Sequence, residues 1–214
     1  MPIDRTGRIP AQYTYEVTKA HSPLLVVLTG PSGAGKDSLL ARLKSQDPSS
    51  YIVVNVTTRP PRAGEQEGVD YHFVSKEEFE RLRRNGELLE RALVYGQDKG
   101  VPKSPIRQAL ARGRDVLLRT DIQGARTIKR LVPSATTIFV SPPSEIELRR
   151  RVRERGGDTR EQVKIREETA TQEMAAASEF DYQVVNDDLE ECANEVRRII
   201  TKEQSRPDRD EIIV

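Results

Sequence analysis

The stretch Gly30-Pro31-Ser32-Gly33-Ala34-Gly35-Lys36-Asp37-Ser38 constrains this chain more than any other. It follows the apolar run Leu24-Leu25-Val26-Val27-Leu28 and leads into Leu39-Leu40-Ala41-Arg42-Leu43, an order that predicts strand, glycine-rich turn and helix. Three glycines let backbone N–H groups turn inward around an anion, and the helix behind them presents its positive end to the same place. Lys36 adds a compact charge on a flexible stem that can follow a phosphate. The spacing is G-x-x-x-x-G-K, with Asp37 where serine or threonine is usual and Ser38 one place later. These residues predict a site for the phosphates of a nucleoside triphosphate.

A chain of 214 residues, 36% hydrophobic and 32% charged, has the composition of one globular domain, with room for an inserted lobe. Its net charge of +1 exerts no global pull on nucleic acid or membrane. Cys192 is the single cysteine, which excludes an internal disulfide. No run approaches the ~20 apolar residues of a membrane span, and residues 1–22 lack the apolar stretch of a secretory signal. A cytoplasmic protein with a loose N-terminal arm over 1–22 and a C-terminal tail over 203–214, polar until Ile212, is expected; oligomeric state is left open.

Tyr51-Ile52-Val53-Val54-Asn55-Val56 reads as one strand, and Tyr71-His72-Phe73-Val74 as a short one. Ser75 with Glu78 forms a capping box for a helix that stops at Asn85-Gly86. Leu88 to Val94 predicts a strand, Gly96 to Gly100 a turn, and Ser104-Pro105 the start of a helix ending near Gly113. Val116-Leu117-Leu118 is apolar, followed by Asp121 and a helix from Gln123 to about Leu131. Thr136 to Val140 predicts a further buried strand. Ser144 with Glu147 opens a very basic helix to Arg155, Gly156-Gly157 breaks it, and Thr159 with Gln162 caps a long helix to about Ala177. A last strand at Asp181–Val185 and a helix over 188–202 close the chain. Strands alternate with helices at both ends, which argues for a parallel sheet covered on both faces. The middle, about 55–102, reads as an inserted lobe able to hold a second substrate.

Arg59 and Arg62, after Thr57-Thr58, can form a fork for a phosphate or carboxylate. Glu90 and Asp121 follow strand-like runs, as pocket acids do, although surface acids share that pattern. Taken together, Thr57-Thr58-Arg59-Pro60-Pro61-Arg62-Ala63-Gly64-Glu65, then Gly68-Val69-Asp70-Tyr71-His72-Phe73-Val74, Gly86-Glu87-Leu88-Leu89-Glu90, Asp121-Ile122-Gln123-Gly124-Ala125 and Val184-Val185-Asn186-Asp187-Asp188 resemble the guanylate kinases over about residues 23–202. The resemblance implies a P-loop NTPase-type α/β fold with helices on both faces of a parallel sheet, a monophosphate-binding lobe (55–102) and a small lid (151–166). It also implies phosphoryl transfer from ATP to GMP with Mg²⁺ and so small nucleotides as partners; no nucleic-acid or membrane partner is expected. By position, Gly30, Pro31, Ser32, Gly33, Ala34, Gly35 and Lys36 would hold ATP. Arg59, Arg62 and Tyr71 would grip the acceptor phosphate, and Glu90 and Asp121 would read the guanine edge. Arg151, Arg155 and Arg166 match the lid and donor-side cations.

The chain departs from that family pattern in several places. Asp37 replaces the hydroxyl that meets Mg²⁺, so that either Asp37 or Ser38 would take that role. A carboxylate touching phosphate costs about 4 kcal/mol at an effective dielectric of about 20 unless a cation intervenes. Asn55 stands for a guanine-reading serine, with an amide able to donate to O6. Arg91 replaces a tryptophan, Lys99 a phosphate-binding phenol, Val101 a hydroxyl, and Arg119 an acid two residues before Asp121. The Gly-Lys-Asp-Ser-Leu-Leu run also resembles the loop of ribose 1,5-bisphosphate phosphokinases. A kinase of such an acceptor, and a non-catalytic interaction module on the same fold, are therefore the alternatives to GMP phosphorylation.

Overall fold

In the computed structural model, residues 22–94, 96–154, 169 and 173–214 are described. The chain runs β1 (Leu25–Thr29), α1 (Lys36–Gln46), β2 (Tyr51–Ile52), β3 (Val56–Thr57), β4 (His72–Phe73), α2 (Lys76–Arg84), β5 (Leu88–Val94), β6 (Gln97–Pro102) and α3 (Lys103–Ala111). It continues with β7 (Val116–Arg119), α4 (Ile122–Leu131), β8 (Thr136–Ser141), α5 (Glu145–Glu154), a 3₁₀ turn at Ala177–Glu179, β9 (Tyr182–Val185) and α6 (Leu189–Gln204).

Five strands form a wholly parallel sheet in the order β2-β7-β1-β8-β9. Side chains alternate along β1 and divide the core in two. Leu25 and Val27 face Ile106, Ala109, Ala125 and Ile128 on α3 and α4. Leu24, Val26 and Leu28 face Leu39, Leu40 and Leu43 of α1 and Ala193, Val196 and Ile199 of α6. Burial on both faces is what turns these strands into continuous apolar runs. Because β1 and β7 are neighbours, the loops that leave their C-terminal ends lie side by side, at the end of the sheet where α/β proteins bind ligands.

A second sheet of four strands, β4-β3-β6-β5, is mixed: β3 pairs β4 in parallel, while β6 runs antiparallel to both β3 and β5. The strand predicted over 51–56 is therefore two. Tyr51 N–H bonds Asp115 O and Val53 N–H bonds Leu117 O in the first sheet, whereas Asn55 O accepts from His72 N in the second. Apolar periodicity continues through this crossing, so it gives no sign of the change of partner. Gly96 is a turn, but residues 97–100 belong to β6, whose strand neighbours β3 and β5 override a turn-like composition.

The serine half of each capping box forms: Ser75 Oγ accepts from Glu78 N at 3.1 Å and Ser144 Oγ from Glu147 N at 3.1 Å, while the Glu78 carboxylate bonds Arg81 and that of Glu147 bonds Arg150 and Arg151. Most of the helix predicted over 159–177 lies outside the described residues, as do residues 1–21 of the N-terminal arm and residues 155–166 of the lid predicted over 151–166. The apolar end of the tail is packed against the domain. Ile212 and Val214 pack on the cluster beneath α3 and α4, and Arg107 Nε donates to Val214 O at 2.5 Å. Among the described residues, no helix is long and apolar enough to cross a membrane.

Candidate active site

A cavity of about 460 Å³ opens between the two sheets. The loop after β1 forms one wall and Arg119, Thr120 and Asp121 at the C-terminal end of β7 form another, facing Glu90, Ala92 and Lys99 from the second sheet.

On the loop side, Gly35 caps α1 with φ +85°, a left-handed conformation that side chains disfavour. A Cβ there would also meet Asn186 Nδ2 at 2.3 Å. Asn186, buried at the end of β9, donates to Ala34 O at 2.8 Å, and its own carbonyl accepts from Arg151 Nη1 at 3.0 Å. Arg151 is held further by Glu147, whose Oε1 accepts from Nε at 2.7 Å. Asn186 thus links the phosphate loop to the basic helix α5. Lys36 Nζ donates to Gly30 O at 2.5 Å and Pro31 O at 2.9 Å, which keeps its ammonium across the mouth of the loop. Ser32, Asp37 and Ser38 also line the cavity.

On the opposite wall, Glu90 is 5% exposed and lies against the first turn of α4. Gly124 is required there because a Cβ would meet Glu90 Oε1 at 2.9 Å and Thr120 Oγ1 at 2.1 Å. Burial, then the Asp121 charge, pushes the Glu90 carboxyl up to about 7. Its Oε1 is buried with no hydrogen-bond partner. Asp121 caps α4, with Oδ1 accepting from Gly124 N at 2.8 Å. Asn55 differs from expectation: its amide donates to Arg119 O at 2.8 Å, and the buried atom without a partner is the acceptor Oδ1.

A guanylate kinase family model matches residues 22–203. The chain belongs to the guanylate kinase family. The guanylate kinase of Synechococcus sp. (strain JA-3-3Ab) is 48% identical over 176 residues, covering 82% of this chain and 81% of that protein. That of Carboxydothermus hydrogenoformans is 41% identical over 189 residues, covering 88% and 93%. The crystal structure of guanylate kinase from Anaplasma phagocytophilum superposes with a TM-score of 0.75 at 34% identity, covering 88% of this chain and 90% of that one.

Of the residues that resemblance to the guanylate kinases singled out, Asn55, Arg62, Tyr71, Glu90, Asp121 and Arg151 line one cavity together with the loop. Arg155 and Arg166 lie outside the described residues. Arg59 is not among the described lining residues. It is 5% exposed, and both its terminal nitrogens donate to Glu65 at 2.6 Å. Its guanidinium lies 4.9 Å from the Tyr71 ring centre, so its place is behind the tyrosine. Burial opposes ionisation of Glu65, but Arg59 and the Arg62 N–H outweigh it and lower its pKa. Glu65→Ala, which strands a buried guanidinium, is expected to cost about 3 kcal/mol in urea unfolding. From the sequence, Lys99 and Arg119 only make the acceptor side more basic, and neither is a predicted site residue. Both line the cavity.

Proposed function

We propose that the chain transfers the terminal phosphoryl group of ATP to GMP, giving ADP and GDP. The observation that carries this reading is that a phosphate loop with its lysine and a pair of carboxylates, the buried Glu90 and the half-buried Asp121, open into the same cavity. The loop amides of residues 30–36 and Lys36 bind the donor phosphates. Arg62 and Tyr71, backed by Arg59, bind the acceptor phosphate. Glu90 and Asp121 accept hydrogen bonds from the N1–H and N2 amino group of guanine, a donor pair that adenine lacks.

An oxygen of the GMP phosphate forms the new bond to the γ-phosphorus while the bond from that phosphorus to the β,γ-bridging oxygen breaks, and ADP leaves with the electron pair. The negative charge of the transferring group is spread over its outer oxygens, so alignment and cations do most of the catalysis. Lys36 and Arg151 supply fixed positive charge from the donor side, and Arg155 and Arg166 are proposed to add theirs. The proposed substrates make the cytoplasm the proposed compartment.

Asp37 and Ser38 offer hard oxygen donors on the first turn of α1, a set that fits Mg²⁺ with its preference for a carboxylate, phosphates and water. Bound there with ATP, Mg²⁺ would neutralise phosphate charge. Asp37→Ser exchanges a charged ligand for a neutral one, and the Mg²⁺ concentration giving half-maximal rate is expected to rise by about tenfold. Superimposable Mg²⁺ titrations of the two proteins would exclude a direct role for Asp37.

The cations near Tyr71 favour one competing acceptor, a sugar bisphosphate. Steady-state rates with GMP, dGMP, AMP and ribose 1,5-bisphosphate decide the matter. GMP should exceed AMP in kcat/KM by at least about 100-fold. Equal turnover of GMP and AMP refutes the proposal, a preference for the bisphosphate replaces it, and ATP binding without transfer to any of them identifies a non-catalytic module.

A further inference from the structure

Arg119 ends β7, at the seam between the two sheets, and its side chain is only 12% exposed although it lines the cavity. Its guanidinium forms an ion pair with Asp37 on the first turn of α1. It donates to Asp70 O at 2.9 Å on the acceptor side, and its guanidinium carbon lies 5.0 Å from the Tyr71 ring centre. The backbone beneath it is fixed as well, through the Asn55 amide. Burial opposes its charge, but Asp37, Tyr71 and Asp70 outweigh burial and hold it protonated. One residue therefore touches both the donor loop and the acceptor lobe.

Three cations converge on the Tyr71 ring: Arg59 at 4.9 Å, Arg119 at 5.0 Å and Lys99 at 5.9 Å. They are not equivalent. Arg59 is turned toward both oxygens of Glu65, behind the ring. The acid facing Arg119 is Asp37, more than half exposed and standing beside the phosphate loop. Phosphates arriving in that loop repel Asp37 and attract the guanidinium, so the same event loosens the pair and offers Arg119 a better partner. A planar fork matches two phosphate oxygens, which an ammonium does not.

We propose that Arg119 binds the acceptor phosphate together with Arg62 and Tyr71, and that Asp37 holds it in position until the nucleotides arrive. This rests on the phosphotransferase reading above. It assigns a phosphate-binding role to a position where the family usually carries an acid.

The test is calorimetric or NMR titration of the full chain with GMP and with guanosine, in the wild type and in Arg119→Gln, Arg119→Lys and Asp37→Asn. Arg119→Gln is expected to lose about 30-fold in GMP affinity with guanosine affinity unchanged. Arg119→Lys should recover part of that loss, since it restores charge without the fork. Asp37→Asn should tighten GMP, because the competing carboxylate is gone. A purely structural clamp predicts otherwise. Arg119→Gln would then weaken GMP and guanosine alike, or neither, and Asp37→Asn would reproduce it; either result overturns the proposal. A wild type that prefers AMP refutes the base assignment alone, and AMP against adenosine then reads Arg119 in the same way. A wild type that binds no nucleotide monophosphate refutes both.

Discussion

Replacing Lys36 with alanine is expected to lower phosphoryl transfer from ATP by about 1,000-fold while the protein stays folded. The magnitude is that of removing a charge aimed at the transition state in a water-poor site. In the free protein the Lys36 ammonium donates to the backbone oxygens Gly30 O and Pro31 O, at distances of 2.5 and 2.9 Å. Those two bonds hold the side chain where donor phosphates would arrive, and they are readily exchanged for phosphate oxygens. Losing them costs stability of about 1 kcal/mol each at most, since the carbonyls can turn to water. Initial rates with saturating ATP and GMP, beside a circular dichroism melt, measure both halves of the prediction. A variant that melts normally and keeps its rate would remove Lys36 from the reaction.

The second large effect concerns Glu90 and pairs a loss of function with a gain of stability. Glu90→Gln is expected to weaken GMP binding by about 100-fold, because a carboxylate accepting two base N–H groups becomes an amide with one acceptor. The same change should stabilise the free protein. The Glu90 carboxyl is displaced upward from 4.5 to about 7, first by burial and then by Asp121. A raised carboxyl binds a proton in the folded chain that the unfolded chain has already released. Stability therefore falls as pH rises from 4.5 to about 7, and the cost is complete above 7. At about 1.4 kcal/mol per pH unit the cost is on the order of 3 kcal/mol. Glu90→Gln should accordingly melt several degrees higher than the wild type at pH 8 and nearly level with it at pH 5. In the wild type, KM for GMP should climb about tenfold per pH unit below 7 and level off above it. Lower stability of the variant at pH 8, or a KM flat between pH 5.5 and 8, would mean that Glu90 is not a strained, base-facing carboxylate.

Local chemistry carried much of the fold. The strand–loop–helix around Lys36, the capping residues Ser75 and Ser144 and the alternation of apolar strands with helices are all short-range patterns, and each forms where its residues predict. What composition could not reveal depended on partners distant in sequence. Val53 to Asn55 is as apolar as a single strand, yet the chain changes sheets there because Leu117 and His72 bond it from different sides. Residues 97–100 look like a turn and become a strand because β3 and β5 flank them. In the site, the pocket acids and the loop could be found by motif. The pairing of Asp37 with Arg119 could not, because each looked like a separate departure from a pattern and only the fold shows them to be one ion pair. Asn186 and Gly124 belong to the same class, since their roles lie in what approaches them from elsewhere.

The most direct measurement is transfer of label from [γ-³²P]ATP in a single turnover, with GMP, AMP or water as the available acceptor. Labelled GDP should accumulate with GMP alone, at a rate that falls with Lys36→Ala and, below pH 7 at subsaturating GMP, with acidification. Label released only as inorganic phosphate, or transferred equally to AMP, would contradict a cavity in which the donor loop and the Glu90–Asp121 pair serve one guanine nucleotide.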